Sequence, residues 1–155
     1  MNNKKGFTLI ELLVVIAIIG LLSTLAVVSL NNARVKSRDA RRVADMKQMQ
    51  TALELYFTDQ NTYPAQPVAG VCGTLAGDLN DTNACCLSST NGFAAACAGT
   101  NYMGSVPENP LPNGVTYNYT LDGATSYHIT YSLEQAAGGI DAGAHRTTPG
   151  GIADP

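Results

Sequence analysis

The stretch KKGFTLIELLVVIAIIGLLSTLAVVSL, Lys4 to Leu30, decides how the rest of the chain is read. Two lysines and a glycine lead into a run from Phe7 to Leu30 in which Glu11 is the only charged residue. As a helix rising about 1.5 Å per residue, that run is long enough to cross a hydrocarbon layer roughly 30 Å thick. It is apolar on every face, so it needs lipid or protein on all sides. An ordinary secretory signal shares the basic start, but its apolar core is shorter and its cleavage site follows that core. Here the expected cut falls before the run, after Gly6. A plain membrane anchor explains the length but not Glu11, since a carboxylate inside such a helix costs about 3 kcal/mol on insertion scales. Glu11 therefore needs a partner.

Past Leu30 the pattern turns amphipathic. Val43, Met46, Met49 or Gln50, Leu53 and Tyr56 or Phe57 recur at spacings of three and four, while Lys47, Gln48 and Glu54 fall on other faces. Between Phe7 and Thr58 there is no proline, and Gly20 is the only glycine. The spacing predicts one nearly continuous helix of about 78 Å, ended by Asp59, Asn61 and Pro64. The chain thus divides into a leader (1–6), a membrane or filament-core helix (7–30), an amphipathic helix (31–58) and a head (59–155) of roughly a hundred residues, enough for one small domain.

Charge is distributed unevenly. Arg34, Lys36, Arg38, Arg41, Arg42 and Lys47 crowd one stretch against Asp39 and Asp45, whereas the chain beyond Gln48 has Arg146 as its only base. A basic helix beside an acidic head suits side-by-side packing of identical subunits. Alternatives for the basic stretch are a solvated helix face, favoured by the stretch alone, and weak binding of nucleic acid or anionic surfaces.

Cys72, Cys85, Cys86 and Cys97 lie in a Gly-, Ala- and Asn-rich segment with few large apolar residues. Disulfides would supply the restraint that burial cannot, and they imply an export compartment. Of the three connectivities, the one joining the neighbours Cys85 and Cys86 is geometrically poor. Cys72 then reaches one of that pair and Cys97 the other. A zinc site fits less well, because the spacings are not CxxC and neither His128 nor His145 is near in sequence.

Residues 65–113 read as a long irregular connection holding the cysteines, with room for short helical or extended pieces that the sequence does not place. A hairpin follows: Val115, Tyr117, Tyr119 and Leu121 alternate with polar residues, as do Tyr127, Ile129, Tyr131 and Leu133, and Asp122 to Thr125 turn the chain. Its tyrosine face is expected on the Val43–Phe57 helix. From Gln135 the Gly- and Ala-rich tail reads as exposed loop with room for a short extra strand. The fold expected is α+β: a long N-terminal helix packed on a small antiparallel sheet, with a disulfide-rich loop.

In the order basic leader, Gly6, Phe7, Glu11, the segment from Lys4 to Gly20 resembles the class III signal of type IV pilins and type II secretion pseudopilins. The resemblance implies cleavage after Gly6 by a prepilin peptidase and N-methylation of the new terminus at Phe7. It further implies that Glu11 meets the Phe7 amine of a neighbouring subunit, so that assembly relieves a cost imposed by the membrane. The likeness covers Met1 to about Pro64, including Thr62-Tyr63-Pro64 after the helix, and is looser beyond. Tyr102 to Pro110 (YMGSVPENP) and the two tyrosine-rich strands are similar to the head of major pseudopilins. The chain departs from the family pattern at Val28, where a helix proline is frequent. It also departs at Asp141 and Asp154, isolated where many major pseudopilins carry an acidic calcium-binding end, and in its four central cysteines. The basic residues after the apolar run oppose the positive-inside rule if the head lies outside.

The expected function is that of a structural subunit of a type IV pilus-like filament. The alternatives are a major pseudopilin of type II secretion, a minor pilin acting in adhesion or DNA uptake, and a simple anchored domain that does not assemble. Implied partners are further copies of the chain, the prepilin peptidase, an inner-membrane assembly platform with its ATPase, and membrane lipid before assembly. Implied locations are the inner membrane and then a cell-surface filament, or the periplasm for a pseudopilin. The sequence suggests no catalytic group, metal constellation or cofactor, and His128 reads as a strand residue rather than a base. Asn80-Asp81-Thr82 and Asn118-Tyr119-Thr120 match the short glycosylation sequon, which recurs by chance.

Overall fold

The computed structural model describes residues 6–79, 85–112 and 116–153. Lys4 and Lys5 of the leader, the sequon at Asn80, Val115 of the expected hairpin and Asp154 lie outside the described residues. The chain divides into two compact units, 1–35 and 36–155. One helix, α1 (Leu9–Gln60), contributes to both.

In the first unit every residue from Gly6 to Arg34 is exposed. The hydroxyls of Ser23 and Thr24 turn back onto the helix, donating to the carbonyls of Ile19 (2.7 Å) and Leu21 (2.8 Å). This satisfies both groups inside an apolar segment without help from another chain.

In the second unit the periodic residues bury, with Met49 and Tyr56 inward while the alternatives Gln50 and Phe57 are only half-buried. Val43, Met46, Met49, Leu53 and Tyr56 form a stripe on α1 together with Asp39, Arg42, Asp45 and Ala52. The helix ends at Gln60, two residues beyond the expected Thr58. Asn61 takes a left-handed φ of 55°, and its N–H donates to the Phe57 carbonyl at 2.8 Å. That closes the last turn before Pro64.

The described part of the connection over 65–113 holds short extended pieces whose places the sequence left open. It contains β1 (Cys86–Ser88), β2 (Gly92–Ala94) and β3 (Asn101–Met103), an antiparallel sheet in the order β2-β1-β3. Cys72 bonds Cys85, and Cys86 bonds Cys97, so the two ends of this segment are tied to the start of β1. Strands of three residues are too short to show an alternation.

The hairpin forms from β4 (Asn118–Gly123) and β5 (Ser126–Leu133), with Tyr119 opposite Ile129 and Gly123 opposite Ser126. Tyr117, just before β4, is buried with Tyr119, Tyr127, Ile129, Tyr131 and Leu133 in one core with the α1 stripe. Rings meet within it, Tyr63 and Tyr127 edge to face at 4.6 Å and Phe93 tilted on Tyr119 at 5.0 Å.

The tail corrects the expectation of exposed loop. It forms β6 (Gly143–Thr148) and β7 (Gly151–Ala153), extending the sheet to β4-β5-β6-β7. Its inward positions are His145 and Thr147, both buried. Polar residues on the inner face gave no hydrophobic alternation to read.

Candidate functional site

Thr8 and Glu11 form a closed local pair at the start of α1. The Glu11 Oε2 atom accepts from the Thr8 N–H at 2.8 Å and from the Thr8 hydroxyl at 2.6 Å, while the Glu11 N–H donates to the Thr8 Oγ1 at 3.3 Å. This reciprocal arrangement is a capping box, with Thr8 as the N-cap and Glu11 three residues on. It satisfies donors that the first helical turn leaves open, and the negative charge sits at the positive end of the helix dipole. Glu11 is therefore not unpaired within its own chain. The spacing Thr-x-x-Glu carries that signal in the sequence, hidden by the apolar run around it. Both bonds fall on one carboxylate oxygen. A carboxylate offers about four acceptor positions, so the group retains capacity for a further donor. Gly6 and Phe7 precede the pair and are exposed.

A second cluster joins α1 to the sheet. Arg42 is fully buried. Its Nε donates to Asn109 Oδ1 (2.8 Å), its Nη1 to Asp39 Oδ1 (2.6 Å) and Glu134 Oε1 (2.8 Å), and its Nη2 to the Pro110 carbonyl (3.0 Å). Asp39 in turn accepts the backbone N–H groups of Glu134 (3.0 Å) and Gln135 (2.7 Å), which follow β5. Arg38 grips both oxygens of Glu134 at 2.8 and 2.7 Å. The fork of a guanidinium matches that carboxylate geometry.

This cluster takes Arg38 and Arg42 out of the reading of the basic stretch as a solvated face, which holds for the other four bases. Arg38 and Arg42 are consumed by Glu134 and Asp39, and Asp45 is buried against the Tyr117 hydroxyl, which donates to it at 3.0 Å. Arg34, Lys36, Arg41 and Lys47 remain exposed. Burial pushes the Asp45 carboxyl above the usual range, against the lowering effects of the Tyr117 bond and of Arg41. Burial likewise raises Tyr117 and Tyr119, which stay neutral donors. Sequence periodicity places Asp39 and Arg42 on the inner face but cannot tell that they meet Glu134.

Among the described residues no group of His, Cys, Asp and Glu could hold a metal ion. His128 lies on β5 with its Nδ1 2.7 Å from Asp122 Oδ2. The Asn118 amide is engaged by the Ala76 carbonyl and Asp78 at 3.4 and 3.5 Å.

A family model described as the prokaryotic N-terminal methylation motif matches residues 1–27. The chain is 33% identical over 112 residues to the type IV wide pilus major component PilA4 of Thermus thermophilus, covering 70% of this chain and 86% of that protein. It is 26% identical over 144 residues to the type II secretion system core protein G of Vibrio cholerae, covering 93% and 90% of the two chains. To the core protein G of Pectobacterium carotovorum it is 39% identical over 63 residues, covering 41% of this chain and spanning only 40% of that relative's length. No solved structure is significantly similar. The chain belongs to the family of type IV pilins and type II secretion pseudopilins.

Proposed function

We propose that this chain is a structural, non-catalytic subunit of a type IV pilus-like filament, cut after Gly6 and polymerised through the first half of α1. The observation that carries the reading is the exposure of every residue of the apolar run from Phe7 to Leu30. Such a surface is stable only in lipid or among other helices. Lipid holds the subunit in the inner membrane; neighbouring subunits replace lipid in a filament at the cell surface.

The capping box refines how Glu11 acts in this reading. In the uncut chain the carboxylate is held by Thr8. Cleavage by a prepilin peptidase frees the Phe7 amine, whose positive charge on a neighbouring subunit offers Glu11 a further donor in a medium where charge pairing is strong. The same reading requires an assembly platform and an ATPase to move subunits out of the membrane.

Mass spectrometry of the mature chain tests the processing: a start at methylated Phe7 is expected, and any other start removes the basis of the reading. Glu11→Ala tests the pairing. That variant should be processed and retained in the membrane yet yield few filaments; normal filament yield from it would refute the role of Glu11.

A second reading, a secretion pseudopilin in the periplasm, is favoured by the likeness to the Vibrio cholerae core protein G, which runs nearly end to end. Shearing cells separates the two: abundant surface filaments indicate a pilus, whereas loss of protein export on deletion without sheared filaments indicates a pseudopilus.

A further inference from the structure

Among the described residues outside the 7–30 run, the exposed large apolar ones are Leu55, Val68, Leu75 and Leu111, and Leu111 is the most exposed of these at 78%. Leu111 stands between Pro110 and Pro112, and the segment behind it is anchored because Arg42 bonds Asn109 and the Pro110 carbonyl. Pro110 has a fixed φ and Pro112 restricts the backbone of Leu111, so less chain entropy is lost when the knob docks. Elsewhere in the same unit, Leu55 lines an open groove of about 400 Å³ with Gln48, Thr51 and Ala52 of α1 and Tyr102 and Met103 of β3. β3 is an edge strand. The charges beside the two features are opposite: Glu108, three residues before the knob, and Lys47, next to Gln48 at the groove, are both exposed.

We propose that the Leu111 knob of one subunit docks in the Leu55 groove of a second copy of this chain, with Glu108 of the first facing Lys47 of the second. Knob and groove are different patches of one surface, so the contact is heterologous and repeats from subunit to subunit without closing. An apolar centre with a charged rim gives the contact both attraction and register. The inference rests on the filament reading and names a contact between heads within it.

The test uses the full-length chain in its native host, with sheared filaments as the material. Leu55→Cys and Leu111→Cys in one chain should give a ladder of covalent multimers on mild oxidation, while an equal mixture of the two single variants should give only dimers. Either Glu108→Lys or Lys47→Glu should raise the unassembled fraction about fivefold, as a reversed rim pair predicts, and the double swap should restore assembly. The contact is overturned by filaments that carry both cysteines and show no ladder. It is equally overturned by covalent dimers from Leu111→Cys alone, by cross-linking to a different protein, or by a double swap no better than the single ones. Absence of filaments from the unaltered chain would refute the filament reading itself, and the contact with it.

Discussion

Replacing Arg42 with methionine removes the cation at the centre of the buried cluster while nearly conserving length and volume. Arg42 and Asp39 side chains are both fully buried, and Glu134 is 16% exposed. The substitution deletes four hydrogen bonds and leaves Asp39 with the backbone N–H groups of Glu134 and Gln135. Removing one member of a buried ion pair costs about 3–5 kcal/mol, because the remaining charge has been taken out of water and loses its counterion. Methionine fills the space, so little cavity energy is added. For a unit of this size, about 4 °C of melting temperature corresponds to 1 kcal/mol, which places the loss at roughly 12–20 °C. Arg38→Met is the internal control, since it breaks a pair 18% and 16% exposed that offsets much less, about 1 kcal/mol. The assay is thermal unfolding of the full chain in detergent micelles, followed by the near-ultraviolet signal of the tyrosines packed in the second unit. If Arg42→Met melts within about 4 °C of the unaltered protein, or Arg38→Met costs as much, the account of a buried lock between α1 and the sheet is wrong.

Two further outcomes follow from the same unit. Replacing Cys72 and Cys85 together by serine opens a link with a sequence separation of 13 and should lower stability by about 3 kcal/mol, read as a shift of the urea midpoint. A shift near zero would mean that the segment around β1 is ordered without it. For Asp45, burial raises the folded-state pKa, so the folded chain holds that proton more tightly than the unfolded one. Its contribution is fully present below the ordinary aspartate value of about 3.9 and is lost as pH rises through the folded value. Asp45→Asn keeps an oxygen for the Tyr117 hydroxyl and removes the charge, so urea melts should show higher stability at pH 7 and a flatter slope above pH 4. Lower stability at pH 7 would contradict the dominance of burial.

Much of the helix was legible because its signals are local. The run from Phe7 to Leu30 needs only its length and apolarity to be read, and Val43, Met46 and Leu53 need only their spacing, whereas packing chooses Met49 over Gln50 and Tyr56 over Phe57. The tyrosine hairpin was legible for the same reason, though β4 begins at Asn118 and Tyr117 stands outside it. The two strands of the tail were not, because His145 and Thr147 occupy inward positions that a hydrophobic pattern assigns to solvent. The three strands between Cys86 and Met103 were too short for any period.

At the candidate site the division is different. Gly6, Phe7 and Glu11 stand out from their order in the sequence, but the bonds from Thr8 to Glu11 change the meaning of the acid from an unpaired charge to a capped one. Local order of residues was enough for the long helix, its apolar first half, the inward stripe and the family signal, since each depends on residues within a few turns of one another. Only the tertiary structure decided that Asp39 and Arg42 meet Glu134, that Cys72 bonds Cys85 while Cys86 bonds Cys97, and which bases remain exposed. Those pairings join residues up to 95 positions apart, and their partners are selected by which surfaces the core brings together, a choice that no local pattern encodes.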